Sequence, residues 1–155
     1  METIKESIDV NVPVGTAYNQ WTQFEKFPKF MEGVESVTQL DDTHLGWAAN
    51  IGGARREWQA EILEQVPDEK IAWRATSGSG PNGLVVFEPL GPDSTLITVE
   101  MSYEADGVME QLGAKVGLDS RQVGADLERF KQLVETTGAE TGAWRDEVHA
   151  GERQL

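Results

Sequence analysis

An apolar stripe near the C-terminal end constrains this chain more than any other feature. Between residues 108 and 135, Met109, Leu112, Val116, Val123, Leu127, Phe130 and Val134 recur at three- and four-residue steps with one seven-residue gap. On a helix these seven share one face, while Glu110, Lys115, Asp126, Glu128, Arg129 and Lys131 fall off it. The gap coincides with Gly117-Leu118-Asp119-Ser120, where glycine and a short polar run weaken a helix, so the spacing predicts one helix in two pieces. At roughly 1.5 Å per residue the stretch would reach about 40 Å and needs an apolar surface of similar length.

The rest of the chain supplies strands. Residues 3–12 alternate, with Ile4, Ile8, Val10 and Val12 on one face and only Glu6 breaking it, until Pro13 and Gly15 end the run. A short helix is expected from Thr16, turning Ala17, Tyr18 and Trp21 inward. Phe24, Phe27, Phe30 and Met31 then keep a helical step interrupted by Pro28. Six strand-like runs follow at residues 34–40, 45–51, 55–66, 71–76, 84–90 and 96–105. Asp41-Asp42, Gly52-Gly53, Pro67-Asp68-Glu69, the loose residues 78–83 and Gly91-Pro92-Asp93 separate them. Seven strands at hairpin spacing predict one antiparallel sheet. Residues 136–155 are polar apart from Trp144 and Val148. A domain over residues 1–136 with a polar tail over 137–155 is therefore expected, and cutting after Gly138 should change stability little.

Composition narrows the function. A chain of 155 residues suits one domain with a real core, and the absence of cysteine excludes disulfides and thiolate chemistry. Thirteen basic against twenty-seven acidic residues give a net charge of −14, which repels nucleic acid and anionic membrane. With no charged-then-apolar leader and no apolar run near 18 residues, a cytoplasmic protein without membrane insertion is expected. A homodimer is left open.

The order strand, two short helices, six strands, long helix is that of the helix-grip fold. The chain resembles the polyketide cyclase/dehydrase and START-like lipid-transport superfamily (SRPBCC), in its small bacterial branch. The matching pieces are Val12-Pro13-Val14 after the opening strand, the helix with Tyr18 and Trp21, and Phe24-Glu-Lys-Phe-Pro-Lys-Phe-Met31. They continue with Arg55-Arg56-Glu57-Trp58, Ile71-Ala-Trp-Arg74, Val86-Phe-Glu-Pro89 and Asp126-Leu-Glu-Arg-Phe-Lys131, within residues 1–136. The resemblance implies an α+β fold: a curved seven-stranded antiparallel sheet gripping the long C-terminal helix, with a cavity between them.

The residues themselves allow such a cavity. Trp47, Trp58 and Trp73 take the strand parity that also carries Ala49, Ala60 and Ala75, and bulky residues beside alanines leave room. The ordinary reading of each tryptophan is a filled core; the implied cavity favours a pocket for the set. Phe87, Met101 and Tyr103 join them as candidate ligand contacts, with Gln111 on the helix and Arg56 at the start of its strand. Arg56 shares the parity of Trp58, although an arginine there is ordinarily solvated or ion-paired. Glu57 and Glu61 take the opposite parity and read as a solvent-facing ladder rather than general acids. His44 lies beside the Asp41-Asp42 turn and His149 in the tail, so neither is placed beside a cavity. No cluster has metal-ligand spacing and no glycine-rich segment joins a strand to a helix, so neither metal nor cofactor is expected.

The expected function is binding of a small hydrophobic molecule, lipid- or polyketide-like, between sheet and helix. A cyclase- or dehydratase-type enzyme is the alternative, with no catalytic residue identified. An interaction module using Trp144 and the tail is the third reading.

Overall fold

In a computed structural model the described residues are 2–31, 33–51, 54–77, 82–103, 120–137 and 142–154. Strand β1 (Glu2–Val10) leads to helix α1 (Val14–Trp21) and a 3-10 helix (Phe24–Lys29). Strands β2 (Val34–Asp41), β3 (His44–Ile51), β4 (Ala54–Val66), β5 (Lys70–Ser77), β6 (Asn82–Gly91) and β7 (Ser94–Tyr103) follow as a meander. Helix α2 (Ser120–Thr137) comes next, then two short strands, β8 (Glu147–His149) and β9 (Glu152–Gln154).

The main path of the sheet runs β1-β7-β6-β5-β4-β3-β2, antiparallel throughout. The alternating runs predict the antiparallel sheet and the resemblance its curvature about a C-terminal helix, while β8 and β9 bring the seven expected strands to nine among the described residues. The proline expected to interrupt the second helix, Pro28, lies inside the 3-10 segment. There its missing N–H and fixed φ cost less than within an α-helix.

Within α2, the sequence stripe is the buried one: Val123, Leu127, Phe130 and Val134 are 8%, 2%, 0% and 0% exposed. Phe130 meets the ring of Trp21 at 4.9 Å and that of Phe30 at 5.1 Å, both edge-on. Polar groups fix the helix along its flank. Arg129 Nε donates to the Phe30 carbonyl at 2.9 Å, Lys131 Nζ to the Asp9 carbonyl at 2.8 Å, and the Asn11 N–H to Glu135 Oε2 at 2.8 Å. The first half of the expected helix, with Met109, Leu112, Val116 and the break before Ser120, lies outside the described residues.

The C-terminal segment corrects the expectation of a separable polar tail. Strand β4 has 13 residues, whereas β3 has 8 and stops opposite Glu61. The far end of β4 would leave backbone groups unpaired on that side. Strand β8 takes the vacant place, with His149 opposite Glu64 and Val148 opposite Gln65. Val148 is fully buried and Trp144 packs on the core. The β8–β9 turn is Ala150-Gly151, with φ of 54° and 81°, and the Gly151 N–H donates to the Leu63 carbonyl at 3.0 Å. Positive φ at both turn residues is the hairpin geometry that matches strand twist, and glycine adopts it without strain. The sequence concealed the arm because three-residue strands carry too little alternation to register. No described helix is long and apolar enough to cross a membrane.

Leu127→Ala or Phe130→Ala should each cost about 2–5 kcal/mol through lost side-chain volume. An unchanged denaturant midpoint in either would mean the stripe does not face the sheet. Removing residues 139–155 should also lower the midpoint, because Glu64 and Gln65 lose their ladder and a strand edge is bared. A truncated protein as stable and as monomeric as the full chain would make the arm dispensable.

Candidate functional site

The inner face of β3 and β4 brings three of the expected residues together. Trp47 and Trp58 stand opposite each other in the ladder, and Ala49 stands opposite Arg56. The two indoles stack with centroids 5.7 Å apart and planes 7° from parallel, and Phe27 tilts against Trp47 at 5.6 Å. Both tryptophans are buried, at 7% and 8% exposure, and Arg56 is half-buried on the same face beside small Ala49. Two donors here have no acceptor among the described residues: Trp47 Nε1 and Arg56 Nε are both buried without a hydrogen-bond partner there. They occupy diagonal positions of one ladder, within the reach of a single small molecule.

A second group forms around Gly83 on β6, which pairs with Trp73 on one side and Met101 on the other. The Trp73 ring lies over the glycine so closely that a Cβ there would sit 2.2 Å from its Cζ2. Glycine is required at this position for space rather than for its backbone freedom. Trp73 is 5% exposed and Met101 is partly buried against the core.

Phe87 is placed differently from the other candidates. Its ring meets Tyr18 at 5.5 Å and Trp21 at 6.2 Å, inside the packed aromatic cluster that also holds Phe130. It is core, on the ordinary reading of a strand aromatic. Tyr103 ends β7 opposite Glu2, and its side chain, like the whole of Gln111, lies outside the described residues.

The sequence reading missed a buried polar group at the other end of β4. A register shift between Ile62 and Glu64 breaks the alternation, so that Gln65 pairs with Ile71 and turns inward while Glu64 turns out. Gln65 is 1% exposed and Tyr18 is 0% exposed. The Tyr18 hydroxyl, both Gln65 amide atoms and Asp68 Oδ1 are buried with no well-formed hydrogen bond among the described residues, the Gln65 amide lying beside the Tyr18 hydroxyl. Burial pushes the Tyr18 hydroxyl up to about 12, with the neighbouring Gln65 amide acting in the opposite direction. Arg145 of the C-terminal arm closes the group: its guanidinium lies 5.4 Å from the Tyr18 ring centroid and reaches Asp68 Oδ2 at 2.8 Å and Asn19 Oδ1 at 2.6 Å. A bulge cannot be read from alternation alone, so nothing in the sequence marked Gln65 as interior.

The outer face carries ion pairs. Arg55 bonds Glu57 at 2.5 Å and Glu35 at 3.2 Å, and Arg74 bonds Glu61 at 3.2 Å. Glu57 and Glu61 thus lie on the solvent side, as their parity predicts. A cleft of about 390 Å³ crosses β2, β3 and β4, lined by residues of both parities, Trp47 and Trp58 together with Thr38, Gly46, Glu57 and Gln59 among them. Among the described residues, no group of three or more His, Asp or Glu is arranged to hold a metal ion.

Residues 10–133 match the family described as polyketide cyclase / dehydrase and lipid transport. An uncharacterized 17.2 kDa protein of Streptomyces lincolnensis is 48% identical over 149 residues, covering 96% of this chain and 99% of that one. A START superfamily protein from Mycobacterium smegmatis superimposes with a TM-score of 0.65 at 18% identity, covering 87% of this chain and 95% of that one. The Zhui aromatase/cyclase from a Streptomyces species gives a TM-score of 0.68 at 14% identity, covering 92% and 99%. Identities this low show a shared fold and no shared chemistry.

Gly83→Ala should cost about 1–3 kcal/mol by overpacking against Trp73. The same change in a Trp73→Ala background should cost distinctly less, because the ring it strikes is gone. Equal costs in both backgrounds would mean that the ring does not rest on the glycine.

Proposed function

The chain belongs to the polyketide cyclase/dehydrase and lipid transport family, and we propose that it binds a small hydrophobic molecule, lipid- or polyketide-like, against the inner face of the sheet. The observation that carries this reading is the pair of unpartnered buried donors, Trp47 Nε1 and Arg56 Nε, on a wall of stacked indoles. Buried donors are ordinarily satisfied, and leaving one unpaired costs about 1–3 kcal/mol. An apolar molecule with an oxygen acceptor at one end satisfies both donors. Its apolar body would contribute roughly 25 cal/mol for each Å² taken from water. Trp58, Trp73 and Met101 supply apolar surface on the same face; Tyr103 and Gln111 remain proposed contacts.

A cyclase- or dehydratase-type activity is the second reading, favoured by Arg56. A guanidinium on an apolar wall can hold an enolate or carboxylate as it forms, and it keeps its charge at any working pH. No described histidine faces this wall, so proton transfer there would fall to the substrate, to water or to residues beyond those described. The interaction-module reading loses its anchor, since Trp144 packs on the core rather than standing free.

Two dyes test the proposal: uncharged Nile red and sulfonated anilinonaphthalene. Both should bind the native protein. Arg56→Gln should weaken the sulfonated dye several-fold while sparing the neutral one, and Trp73→Ala should alter both. Each variant's stability is measured first, since an emptied core also binds dye. Absence of native binding by either dye, or loss of both with Arg56→Gln alone, would overturn the apolar-wall reading.

A further inference from the structure

We propose that the C-terminal hairpin is a proton-operated strap, latched to the sheet by His149 and covering the polar group of Tyr18, Gln65 and Asp68. The inference concerns the end of β4 away from the ligand wall and does not depend on what that wall binds.

The latch follows from how an imidazole can bond. His149 Nδ1 lies 3.0 Å from Glu64 Oε2, and Nε2 lies 2.9 Å from Glu147 Oε1. Carboxylates at pH 7 only accept, so both ring nitrogens must donate, and only the imidazolium has two N–H groups. A neutral ring would turn a lone pair toward one of the two carboxylates. Glu64 belongs to β4 and Glu147 to β8, so the cation joins the arm to the sheet. The surroundings on every packed element are acidic. Glu152 of β9 stands opposite His149 in the hairpin ladder, and Glu61 of β4 approaches the Gly151 turn. Arg74 is engaged with Glu61, and His44 Nε2 lies 3.9 Å from the same carboxylate. Without a proton on His149, the arm would bring carboxylate against carboxylate across the β4–β8 ladder.

The direction of the pH dependence is fixed by the same geometry. Glu147 first, then Glu64, raise the His149 pKa above its ordinary 6.5. A raised folded-state pKa contributes stability fully present below about pH 6.5, which is lost as pH rises through the folded-state value. His149 and its partners are each about a third to a half exposed, so added salt weakens the latch.

Closure also carries an internal cost that keeps the strap poised. With Arg145 and Val148 seated, the Tyr18 hydroxyl, the Gln65 amide and Asp68 Oδ1 are shut from water with no well-formed hydrogen bond among the described residues. Opening returns them to solvent. The seated state is therefore held by Val148 burial, by Arg145 and by the latch, and is opposed by the groups it covers. Removing one proton from a balance of this kind shifts the population of the arm without unfolding the sheet.

The test uses the full chain, whose two histidines make the ring signals easy to assign by NMR. The His149 ring should titrate above the ordinary imidazole value, and Glu64→Gln and Glu147→Gln should each lower its midpoint. Amide exchange of residues 142–154 is then followed against pH, as the ratio of wild type to His149→Gln, which cancels the intrinsic pH dependence of exchange. Below the midpoint the wild-type arm should exchange several-fold more slowly than the variant, and the two should converge above it. His149→Lys, which keeps a cation, should hold the arm closed across the range. A ratio that stays flat with pH, or a His149 midpoint indifferent to both glutamine variants, would overturn the latch and leave the arm as static packing.

Discussion

The edge-on contact of Phe130 with Trp21 and Phe30 is the interaction on which the assembly of layers rests. It joins three elements far apart in sequence: the terminal helix, α1 and the 3-10 segment. Trp21 then passes the contact to the sheet through Phe87 at 6.2 Å, and Phe27 passes it to Trp47 at 5.6 Å. Such rings bury large apolar areas and lock one another by their quadrupoles, so the cluster fixes where the helix lies across the strands. The stacked pair Trp47 and Trp58 continues the same buried cluster along β3 and β4.

Strand β4 divides the molecule into two chemical regions. Its first half presents Arg56, Trp58 and Ala60 inward, an apolar surface with one cationic head. The bulge at residues 62–64 then changes the parity, and Gln65 replaces what alternation would have made Glu64. One extra residue therefore does two things at once. It removes a carboxylate from the interior, where burial would be costly, and delivers it to the outer face opposite His149. The strand's excess length over β3 leaves a place for β8, so the bulge and the arm belong to one local solution.

The layers of the fold were legible in the sequence because their signals are periodic. Val123, Leu127, Phe130 and Val134 keep helical spacing, and the inward tryptophans keep strand spacing, and both patterns survive in the structure. What escaped was aperiodic. Phe87 reads like Trp73 in its strand, yet its ring packs against Tyr18, a contact set by the tertiary path of α1. The arm escaped because its anchoring is pairwise: Arg145 with Asp68 and Asn19, Val148 with Gln65, His149 with Glu64. Pairs separated by 77 or more residues leave no local trace in composition.

The charge balance gives those pairs added weight. A net charge of −14 means that most approaches between elements on this surface bring like charges together, and the compact state bears that repulsion throughout. Thirteen lysines and arginines are few, and several of those described are already spent on holding elements: Arg129 and Lys131 on α2, Arg145 on the arm, Arg55 and Arg74 on the outer ladder. A histidine placed among Glu64, Glu147 and Glu152 is the cheapest additional cation such a surface can recruit, because the surrounding carboxylates themselves favour its proton. The same acidity favours the proton that the proposed latch needs. Arg56 stands apart from this economy. It is directed to the inner wall, where no described carboxylate meets its Nε, and a protein so short of positive charge gains nothing structural from leaving it there.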